Sequence, residues 1–233
     1  RRPLFGRRIV VTRAREQASD FKTILAQLGA CCIEFPTIEI EPPPTWGPLD
    51  TAINHLSTYD WIIFTSVNGV RFFMGRLRSA GRDVRQLHGI RVAAIGPKTA
   101  EALEQYGLRP DFVPGEYRAE SILEGLSDEP LQDKHFLLPR AMAARDVLPE
   151  TLRQWGALVD VVPAYRTVLP RERSSEMTER LRSGEIDCLT FTSSSTVGNF
   201  FSLFEKESLL PLLSDVRVAC IGPITAKTAE DHG

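Results

Sequence analysis

Polar side chains with anion-binding chemistry stand where buried strands are expected to end in this 233-residue sequence. Two of these strand ends carry an arginine, two carry a run of hydroxyl residues, and two carry a Gly-Pro pair followed by a threonine. The positions are Arg13, Arg140, Thr65, Ser66, Thr192, Ser193, Ser195, Thr99 and Thr225. Guanidinium groups, hydroxyl groups and the free amides of helix amino ends all bind anions. Because ligands of open α/β sheets bind at the carboxyl ends of strands, the set predicts a site for carboxylates or phosphates.

Each of these positions also has a structural explanation that the sequence leaves open. Hydroxyl residues are common N-caps of helices, and a Gly-Pro pair suits the first turn of a helix. Arg13 and Arg140 could equally be solvated strand ends. Tyr165 lies in a β-like segment between two prolines and could merely pack against its neighbours. A binding role and a structural role are therefore both retained for each position.

Motifs for cofactors, metals and covalent catalysis are missing from the sequence. It contains no Gly-x-Gly-x-x-Gly loop, no Gly-Lys-Ser/Thr phosphate loop, no His-Glu-x-x-His helix and no Gly-x-Ser-x-Gly turn. The four cysteines lie in apolar runs without metal-ligand or redox spacing, and the four histidines are scattered. We therefore expect no cofactor and no metal, which leaves a binding module or an enzyme that works by orienting its substrate.

The composition is typical of an ordinary water-soluble protein, with 42% hydrophobic and 25% charged residues. No apolar run approaches the roughly 20 residues of a membrane span, and the first residues lack the apolar stretch of a signal peptide. We therefore predict a cytoplasmic protein that does not contact a membrane. The net charge of −2 argues against binding nucleic acid through phosphate contacts.

The sequence contains an internal repeat. Residues 9–13, an apolar run that ends in arginine, recur as residues 136–140, and residues 64–66 also recur 127 positions later. The Ile-Gly-Pro segment at residues 95–97 recurs 126 positions later. Three separate landmarks with nearly one offset indicate an ancient duplication.

Each repeat alternates short apolar runs with helical segments. Runs such as residues 61–64 are continuous, which is typical of strands buried on both faces of a parallel sheet. Apolar residues at helical spacing lie between them and predict helices that face a core. Phe21, Ile24, Leu25 and Leu28 form one such stripe, and Val70, Phe73, Met74 and Leu77 form another. The pattern predicts an α/β fold in which helices flank parallel sheets.

Two proline-bearing segments, residues 41–48 and 163–170, interrupt this alternation and are candidate linkers. If both cross between domains, residues 37–41 and 164–168 can pair as an antiparallel two-stranded ribbon. The bounds are then 1–37 with 168–233 for an outer domain, 45–163 for a middle domain, and 38–44 and 164–167 for the linkers. The alternative is a tandem division near residues 127–134, and the duplication is compatible with either division.

Five segments resemble a known family in their order and spacing, over nearly the whole chain. They are residues 10–13, 62–66, 94–97, 162–167 and 220–226, and they resemble the uroporphyrinogen-III synthases. The resemblance implies two α/β domains joined by a two-stranded linker with the active site in the cleft between them, so the interdomain division replaces the tandem one. It also implies a cofactor-independent lyase of haem and tetrapyrrole biosynthesis. Such an enzyme cyclises hydroxymethylbilane to uroporphyrinogen III with loss of water and inversion of ring D.

The resemblance further implies roles for individual residues. Tyr165 matches the tyrosine proposed to help the hydroxyl group leave, and Thr99 and Thr225 match threonines of the cleft. The other implied substrate contacts come from the two arginines, from the hydroxyl-bearing loops, and from one position where some family members carry a basic residue. The arginines are Arg13 and Arg140, and the further position is Asn68. The hydroxyl-bearing loops contribute Thr65, Ser66, Thr192, Ser193 and Ser195.

Three further expectations remain. A non-enzymatic hinge sensor for an anionic small molecule is the second hypothesis, although it leaves the resemblance unexplained. The basic, Pro-containing start without Met indicates part of a larger protein, and the resemblance suggests a fused methyltransferase of the same pathway. The second repeat stops at Gly233, whereas the first continues beyond its counterpart Gly107 through a helix-like segment at residues 119–126. We therefore expect the native protein to continue for about one strand and one helix.

Overall fold

A computed structural model describes residues 2–13, 15–205 and 209–233, with only the backbone described at residues 15–17 and 171. The chain divides into two compact units. The first unit comprises Arg1–Glu39 and Val168–Gly233, and the second comprises Ile40–Thr167. The domain boundaries given from the sequence stay a prediction, because compactness does not show that either unit folds by itself.

Strands and helices alternate along most of the described chain. In chain order the elements are β1 (Arg8–Val11), α1 (Arg15–Gln27), β2 (Cys31–Glu34), β3 (Glu39–Glu41), α2 (Gly47–Asn54), β4 (Trp61–Phe64), α3 (Val67–Ser79), β5 (Arg91–Ala94), α4 (Pro97–Glu104), α5 (Ala119–Leu126), β6 (His135–Ala141), α6 (Val147–Gln154), β7 (Leu158–Val168), α7 (Ser174–Arg182), β8 (Cys188–Phe191), α8 (Ser194–Ser202), β9 (Arg217–Cys220) and α9 (Pro223–Asp231).

The first unit is built on a sheet of the order β2-β1-β8-β9. Its neighbouring strands are parallel throughout. One face of this sheet buries Val10, Leu189 and Phe191 against α7 and α8. Successive strand residues point to opposite faces, so Ile9 and Val11 pack on the other side with Ala18 and Leu25 of α1.

The second unit is built on a sheet of the order β3-β7-β6-β4-β5. The pairs β7–β6, β6–β4 and β4–β5 are parallel. The short strand β3 is the neighbour of β7, and an ion pair of 2.8 Å joins Glu41 to Arg166 of these two strands. Strand β7 runs without a break through residues 164–167. The predicted α/β class, with parallel sheets flanked by helices, is confirmed.

Halves of the two repeats are exchanged between the units. Strands β6 and β7 are the repeat counterparts of β1 and β2, and β8 and β9 are those of β4 and β5. The first sheet therefore combines the first half of one copy with the second half of the other, and the second sheet combines the remaining halves. When each strand is replaced by its repeat counterpart, the two sheets have the same strand order, and β3 is an additional strand of the second sheet. Duplication and exchange thus gave two equivalent carboxyl edges.

An aspartate holds the central strands together at the amino edge of each sheet. Asp60, before β4, accepts the His135 N–H at 2.9 Å, and its own N–H donates to the His135 carbonyl at 2.8 Å. Asp187, its counterpart before β8, does the same with Arg8, at 2.7 Å and 2.9 Å. These accepted backbone hydrogen bonds lower the pKa of both carboxyl groups below the usual range. The same two hydrogen bonds therefore set the register at the start of both central strand pairs.

One predicted helix stripe is confirmed and another is only partly right. In α3, Val70, Phe73 and Leu77 are all buried, as their spacing predicts. In α1, Leu25 is buried but Ile24 is 55% exposed and Leu28 is also exposed. The apolar cluster beneath α1 is small, so it covers only a narrow part of that helix. Within the described residues, no helix has both the length and the apolar character required to cross a membrane.

The matching strands β5 and β9 differ sharply in how well they are covered. In the second unit, Phe112 bridges to Ala93 of β5, and Ile122 and Leu126 of α5 pack in the same apolar cluster. In the first unit, β9 is the last strand of the described sheet, and Val218 is 48% exposed where its counterpart Val92 is 1% exposed. The apolar surface of β9 is therefore open along one edge of the described sheet.

We expect Val218→Lys to leave the free energy of unfolding within about 0.5 kcal/mol of the parent chain, because the side chain is already half exposed. It should also reduce aggregation of the 233-residue chain, since a charge on an edge strand opposes edge-to-edge pairing. Urea unfolding and light scattering measure the two effects. The matched control, Val92→Lys, buries an ammonium group and should cost roughly 3 kcal/mol or more. Equal costs for the two variants would contradict the described exposure of β9.

Candidate active site

Several predicted binding residues of the first unit line a cavity of about 210 Å³ at the carboxyl ends of β1 and β8. Arg13 follows β1, and the run of hydroxyl residues follows β8 and begins α8. The lining residues are Arg13, Thr37, Ile38, Thr192, Ser193, Ser195, Thr196 and Asn199. The structure thus brings together Arg13, Thr192, Ser193 and Ser195, as the sequence predicts for an anion site. Thr225 is nearly fully buried in the first turn of α9 and does not belong to this cavity lining.

Ser193 has the structural role that the sequence left open, and its hydroxyl also contacts other hydroxyl groups at this strand end. As the N-cap of α8 its Oγ accepts the Thr196 N–H at 3.2 Å, which satisfies an amide that has no partner within the helix. The same hydroxyl lies 2.9 Å from the Ser195 hydroxyl and also pairs with that of Thr196. The hydroxyl groups therefore form a connected polar surface at the amino end of α8, where the helix dipole favours negative charge.

Buried threonines fix the strand ends beneath this cavity. The Thr12 hydroxyl donates to the Thr190 carbonyl at 2.6 Å, and the Thr190 hydroxyl donates to the Val10 carbonyl at 2.8 Å. The Thr37 N–H donates to the Thr12 carbonyl at 3.1 Å. These bonds tie β1 to β8 and hold the segment after β2 against the end of β1. Their effect is to fix the backbone from which Arg13 projects.

Sequence reasoning missed Thr37 and Asn199 in the lining of this cavity. Asn199 stands four residues after Ser195 on α8, so both lie on the same face of the helix. Helical spacing from the hydroxyl run could therefore have identified it. Thr37 stands next to the predicted linker, and only the folded strand order brings it beside Thr12.

In the second unit, the structure brings Tyr165 and Ser66 into contact. The Tyr165 phenol oxygen lies 3.0 Å from the Ser66 hydroxyl oxygen. Ser66 is also the N-cap of α3, where its Oγ accepts the Gly69 N–H at 3.0 Å. Tyr165 is only 8% exposed, and its ring stacks on Phe72 with centroids 5.8 Å apart and ring planes inclined by 18°. Ser66 therefore holds the phenol oxygen in place, and Phe72 holds one face of the ring.

Gly69 allows α3 to begin this close to β6. A Cβ atom at Gly69 would lie 2.9 Å from the Pro139 carbonyl oxygen, a distance that real Cβ atoms do not adopt. The pairing of β6 with β7 shifts register between Arg140 and Ala141, and Ala141 is the strand partner of Tyr165. A bulge of this kind re-aims side chains at a strand end. The position of Tyr165 therefore depends on local features of both β6 and α3.

Arg140 is buried and engaged within its own unit. Its guanidinium group donates to the Arg145 carbonyl at 2.6 Å and forms an ion pair with Asp146. Its Nε atom is buried and has no hydrogen-bond partner among the described residues. Serine at position 19 is the repeat counterpart of Asp146, so Arg13 and Arg140 occupy matching positions with different surroundings.

The remaining predicted residues lie at two strand-to-helix junctions of the second unit. Thr65 directly follows β4 and Asn68 stands in the first turn of α3, and both are partly buried. Thr99 is 4% exposed in the first turn of α4, where its N–H donates to the Gly96 carbonyl at 3.1 Å. Across residues 2–13, 15–205 and 209–233, no group of three or more His, Cys, Asp or Glu side chains is placed to hold a metal ion.

These features define a class of protein: two α/β units on parallel sheets, with arginine, hydroxyl and phenol groups at the carboxyl edges. Residues 19–233 match the family model described as uroporphyrinogen-III synthase HemD. Because this match covers most of the chain, the protein belongs to the uroporphyrinogen-III synthase family. The family predicted from the sequence is therefore confirmed.

Individual relatives agree with this assignment. A uroporphyrinogen-III synthase from Synechococcus elongatus is 35% identical over 98% of this chain and 88% of its own length. A uroporphyrinogen-III synthase from Chlorobaculum parvum is 31% identical over 97% of this chain and 89% of its own length. The porphyrin biosynthesis protein HemD of Ruminiclostridium josui is 34% identical over the whole chain, which spans 45% of that longer protein.

Solved structures show the same fold. A crystal structure of a mutant uroporphyrinogen III synthase from the extremely thermophilic bacterium Thermus thermophilus aligns with a TM-score of 0.64 and 25% identity, over 98% of this chain and 90% of that chain. A uroporphyrinogen-III synthetase from Helicobacter pylori aligns with a TM-score of 0.60 and 20% identity, over 97% of this chain and 89% of that chain, and supports the fold alone.

We expect Asp146→Ala to lower the free energy of unfolding by about 1–3 kcal/mol, because it leaves the buried Arg140 guanidinium without its carboxylate partner. Thermal and urea unfolding measure this loss. The control is Glu116→Ala, which removes an exposed ion pair with Arg118 and should cost no more than about 1 kcal/mol. An Asp146→Ala variant as stable as the parent would show that Arg140 does not need this partner.

Proposed function

We propose that this chain cyclises hydroxymethylbilane to uroporphyrinogen III, with loss of one water molecule and inversion of ring D. The observation that carries the proposal is the 35% identity to a uroporphyrinogen-III synthase along 98% of the chain. The arrangement of polar groups at the carboxyl edge of each sheet supports it. The alternative of a hinge sensor for an anionic ligand has no observation that favours it over the enzyme.

The first-unit cavity suits a carboxylate arm of this substrate. Hydroxymethylbilane carries eight carboxylates on acetate and propionate side chains, so its binding site needs cationic and hydrogen-bonding groups. Arg13, the hydroxyl groups of Thr192, Ser193 and Ser195, and the amino end of α8 supply them around a cavity of about 210 Å³. Charge-assisted hydrogen bonds of this kind bind a carboxylate without reacting with it. We propose that the cavity holds one such arm.

The other predicted binding residues are assigned by the resemblance together with their positions. Thr65, Ser66, Asn68 and Thr99 stand at strand-to-helix junctions of the second unit, and Thr225 stands at the matching junction of the first. We propose that they contact the substrate through side-chain or backbone groups. Arg140 remains a candidate contact, but its pairing with Asp146 and Arg145 supports a structural role for its guanidinium group.

Tyr165 is proposed as the general acid that protonates the departing hydroxyl group. The phenol is the titratable group held at the carboxyl edge of the second sheet by both Ser66 and Phe72. Its proton would leave with the hydroxyl as water, and the resulting positively charged azafulvenium group, which keeps its pyrrole N–H, is the electrophile that closes the ring. For ring D to invert, the electrophilic carbon bonds the substituted α-carbon of that ring, the existing bridge to this carbon breaks, and the bridge re-forms at the unsubstituted α-carbon. The proton released from that last carbon balances the proton that left with the hydroxyl.

Orientation of the substrate should contribute more than the acid. An azafulvene cyclises unaided to the isomer with ring D unrotated, so the enzyme must control conformation. Orientation of reacting centres is worth about 7–11 kcal/mol. One general acid typically supplies about 10²- to 10⁴-fold in rate. Fixed binding of several carboxylates is therefore the main requirement that we propose for the site.

The cellular setting follows from the same assignment. We propose that the enzyme works in the cytoplasm, where the other soluble reactions of such a pathway would supply its substrate. The longer relative from Ruminiclostridium josui, of which this chain spans 45%, supports the proposal that a pathway methyltransferase is fused to or works with some members.

The purified full-length protein should convert hydroxymethylbilane to the type III isomer without added cofactor or metal. Chromatographic separation of the oxidised products distinguishes type III from type I. A parallel reaction without protein gives the uncatalysed rate and its type I product. If the protein yields only type I at that rate, the enzyme proposal fails and the sensor becomes the better explanation.

Tyr165→Phe removes one hydroxyl group and little volume. If the phenol is the general acid, turnover should fall by at least about 10²-fold, the lower end of a typical general-acid contribution. The melting temperature should change little, because stacking on Phe72 is retained. A loss of only a few-fold would reduce Tyr165 to a residue that orients the substrate.

A further inference from the structure

We propose that Ser66 is a positioning residue that stabilises the phenolate form of Tyr165 when the phenol gives up its proton. This inference rests on the proposed function, in which Tyr165 is the general acid. In this role the Ser66 hydroxyl donates a hydrogen bond to the Tyr165 oxygen. Because Ser66 is the N-cap of α3, the amino end of that helix then lies next to the reacting phenol.

The hydrogen-bonding capacity of Ser66 carries the first step of the argument. A hydroxyl group donates one hydrogen bond and accepts two. The Gly69 N–H already donates to the Ser66 Oγ at 3.0 Å, so one lone pair is occupied and the hydroxyl hydrogen is available. The phenol oxygen of Tyr165 lies 3.0 Å from the same Oγ. In the neutral pair either oxygen can donate, but after the phenol proton leaves only Ser66 can.

The surroundings strengthen this bond after proton transfer. The phenolate would carry a full negative charge, and hydrogen bonds to charged groups are roughly twice as strong as neutral ones. Helix α3 has 13 residues, and its partial positive amino end lies at the serine that contacts the phenol. Tyr165 is 8% exposed, so little solvent screens the interaction. The stabilisation is therefore specific to the state in which the proton has left.

Phe72 and Gly69 keep this geometry in place. The Phe72 ring is stacked on the Tyr165 ring and limits rotation of the phenol away from Ser66. Gly69 allows the amino end of α3 to approach the Pro139 carbonyl oxygen, which any side chain would prevent. Both residues stand on α3, within two turns of Ser66.

The internal repeat supplies an independent comparison. At the offset of 127 the counterparts of Ser66, Phe72 and Tyr165 are Ser193, Asn199 and Ile38. All three counterparts line the first-unit cavity, and Ser193 caps α8 as Ser66 caps α3. One copy of the junction therefore leaves a space lined by polar groups, whereas the other copy fills the matching place with a phenol and a supporting ring. The capping serine is common to both, but only Ser66 has a phenol as its partner at these matched positions.

The step balances without any further reactant. The phenol proton moves to the departing hydroxyl, the C–O bond breaks with its electron pair on oxygen, and water leaves. The phenolate accepts the hydrogen bond from Ser66 until the closing ring releases a proton from its pyrrole carbon. That proton restores the phenol.

The test is a double-mutant cycle on turnover to the type III isomer, with Ser66→Ala made in the parent and in Tyr165→Phe. In the parent, Ser66→Ala should lower kcat by at least about 10-fold, as expected for one hydrogen bond to a charged group, with KM changed less than about 3-fold. In the Tyr165→Phe background the same change should lower kcat less than about 2-fold, because the interaction has already been removed.

Two further variants separate the phenol from the helix cap. Ser66→Thr keeps both the cap and the hydroxyl donor, and should restore most of kcat. Ser66→Asp keeps an N-cap and should preserve the melting temperature, but a carboxylate cannot donate to a phenolate, so kcat should fall at least as far as in Ser66→Ala. Full activity of Ser66→Asp would overturn the proposal.

Ser193→Ala is the matched control, because it removes the counterpart cap in the first unit. It should lower turnover by the same factor in the parent and in Tyr165→Phe, since its hydroxyl pairs with Ser195 and Thr196. If Ser66→Ala also gives equal factors in the two backgrounds while Tyr165→Phe costs at least about 10²-fold, the inference about Ser66 fails and the acid role stands. If Tyr165→Phe is itself fully active, the acid role fails and the inference fails with it.

Discussion

Parallel pairing of one strand from each repeat, at the centre of each sheet, is the constraint on which the other features depend. β1 pairs with β8, and β6 pairs with β4. Buried strands leave no water for unpaired amides, so their amino ends need protein partners. Asp187 and Asp60 supply those partners by accepting the Arg8 and His135 N–H groups. Once these pairs are in register, the strand ends that carry arginine and hydroxyl residues lie side by side at the opposite edge.

The two carboxyl edges show how a duplicated framework acquired different chemistry. Both keep a serine that caps the helix after the central strand. In the first unit, Ile38 and Asn199 leave a polar cavity, whereas in the second unit Tyr165 and Phe72 stack in the matching place. The framework needed only the cap and the strand end, so the neighbouring positions were free to diverge. One edge became a cavity lined mainly by polar groups, and the other became a buried phenol in contact with a serine hydroxyl.

Patterns of sequence predicted the family, the α/β class and the junctions that carry the polar residues, because buried strands and capping residues leave local signals. Features that depend on distant partners were not predictable. The sequence left Arg140 open between ligand contact and solvent, whereas the structure buries it beside Asp146. The α1 stripe included Ile24, but the core beneath that helix is too small to cover it. The contact of Tyr165 with Ser66 depends on a β-bulge and on the start of α3, which spacing alone does not reveal.

The exchange of halves also sets an order in which the chain can fold. The hydrogen bond between Arg8 and Asp187 joins residues 179 positions apart, whereas the one between Asp60 and His135 spans 75 positions. The entropy of loop closure and the folding time both increase with such separations. During synthesis the second unit can complete its sheet as soon as β7 has emerged, but β1 and β2 must wait for β8 and β9. We therefore expect β1 and β2 to be made before the second unit and to fold after it, with their apolar faces in need of protection throughout that interval.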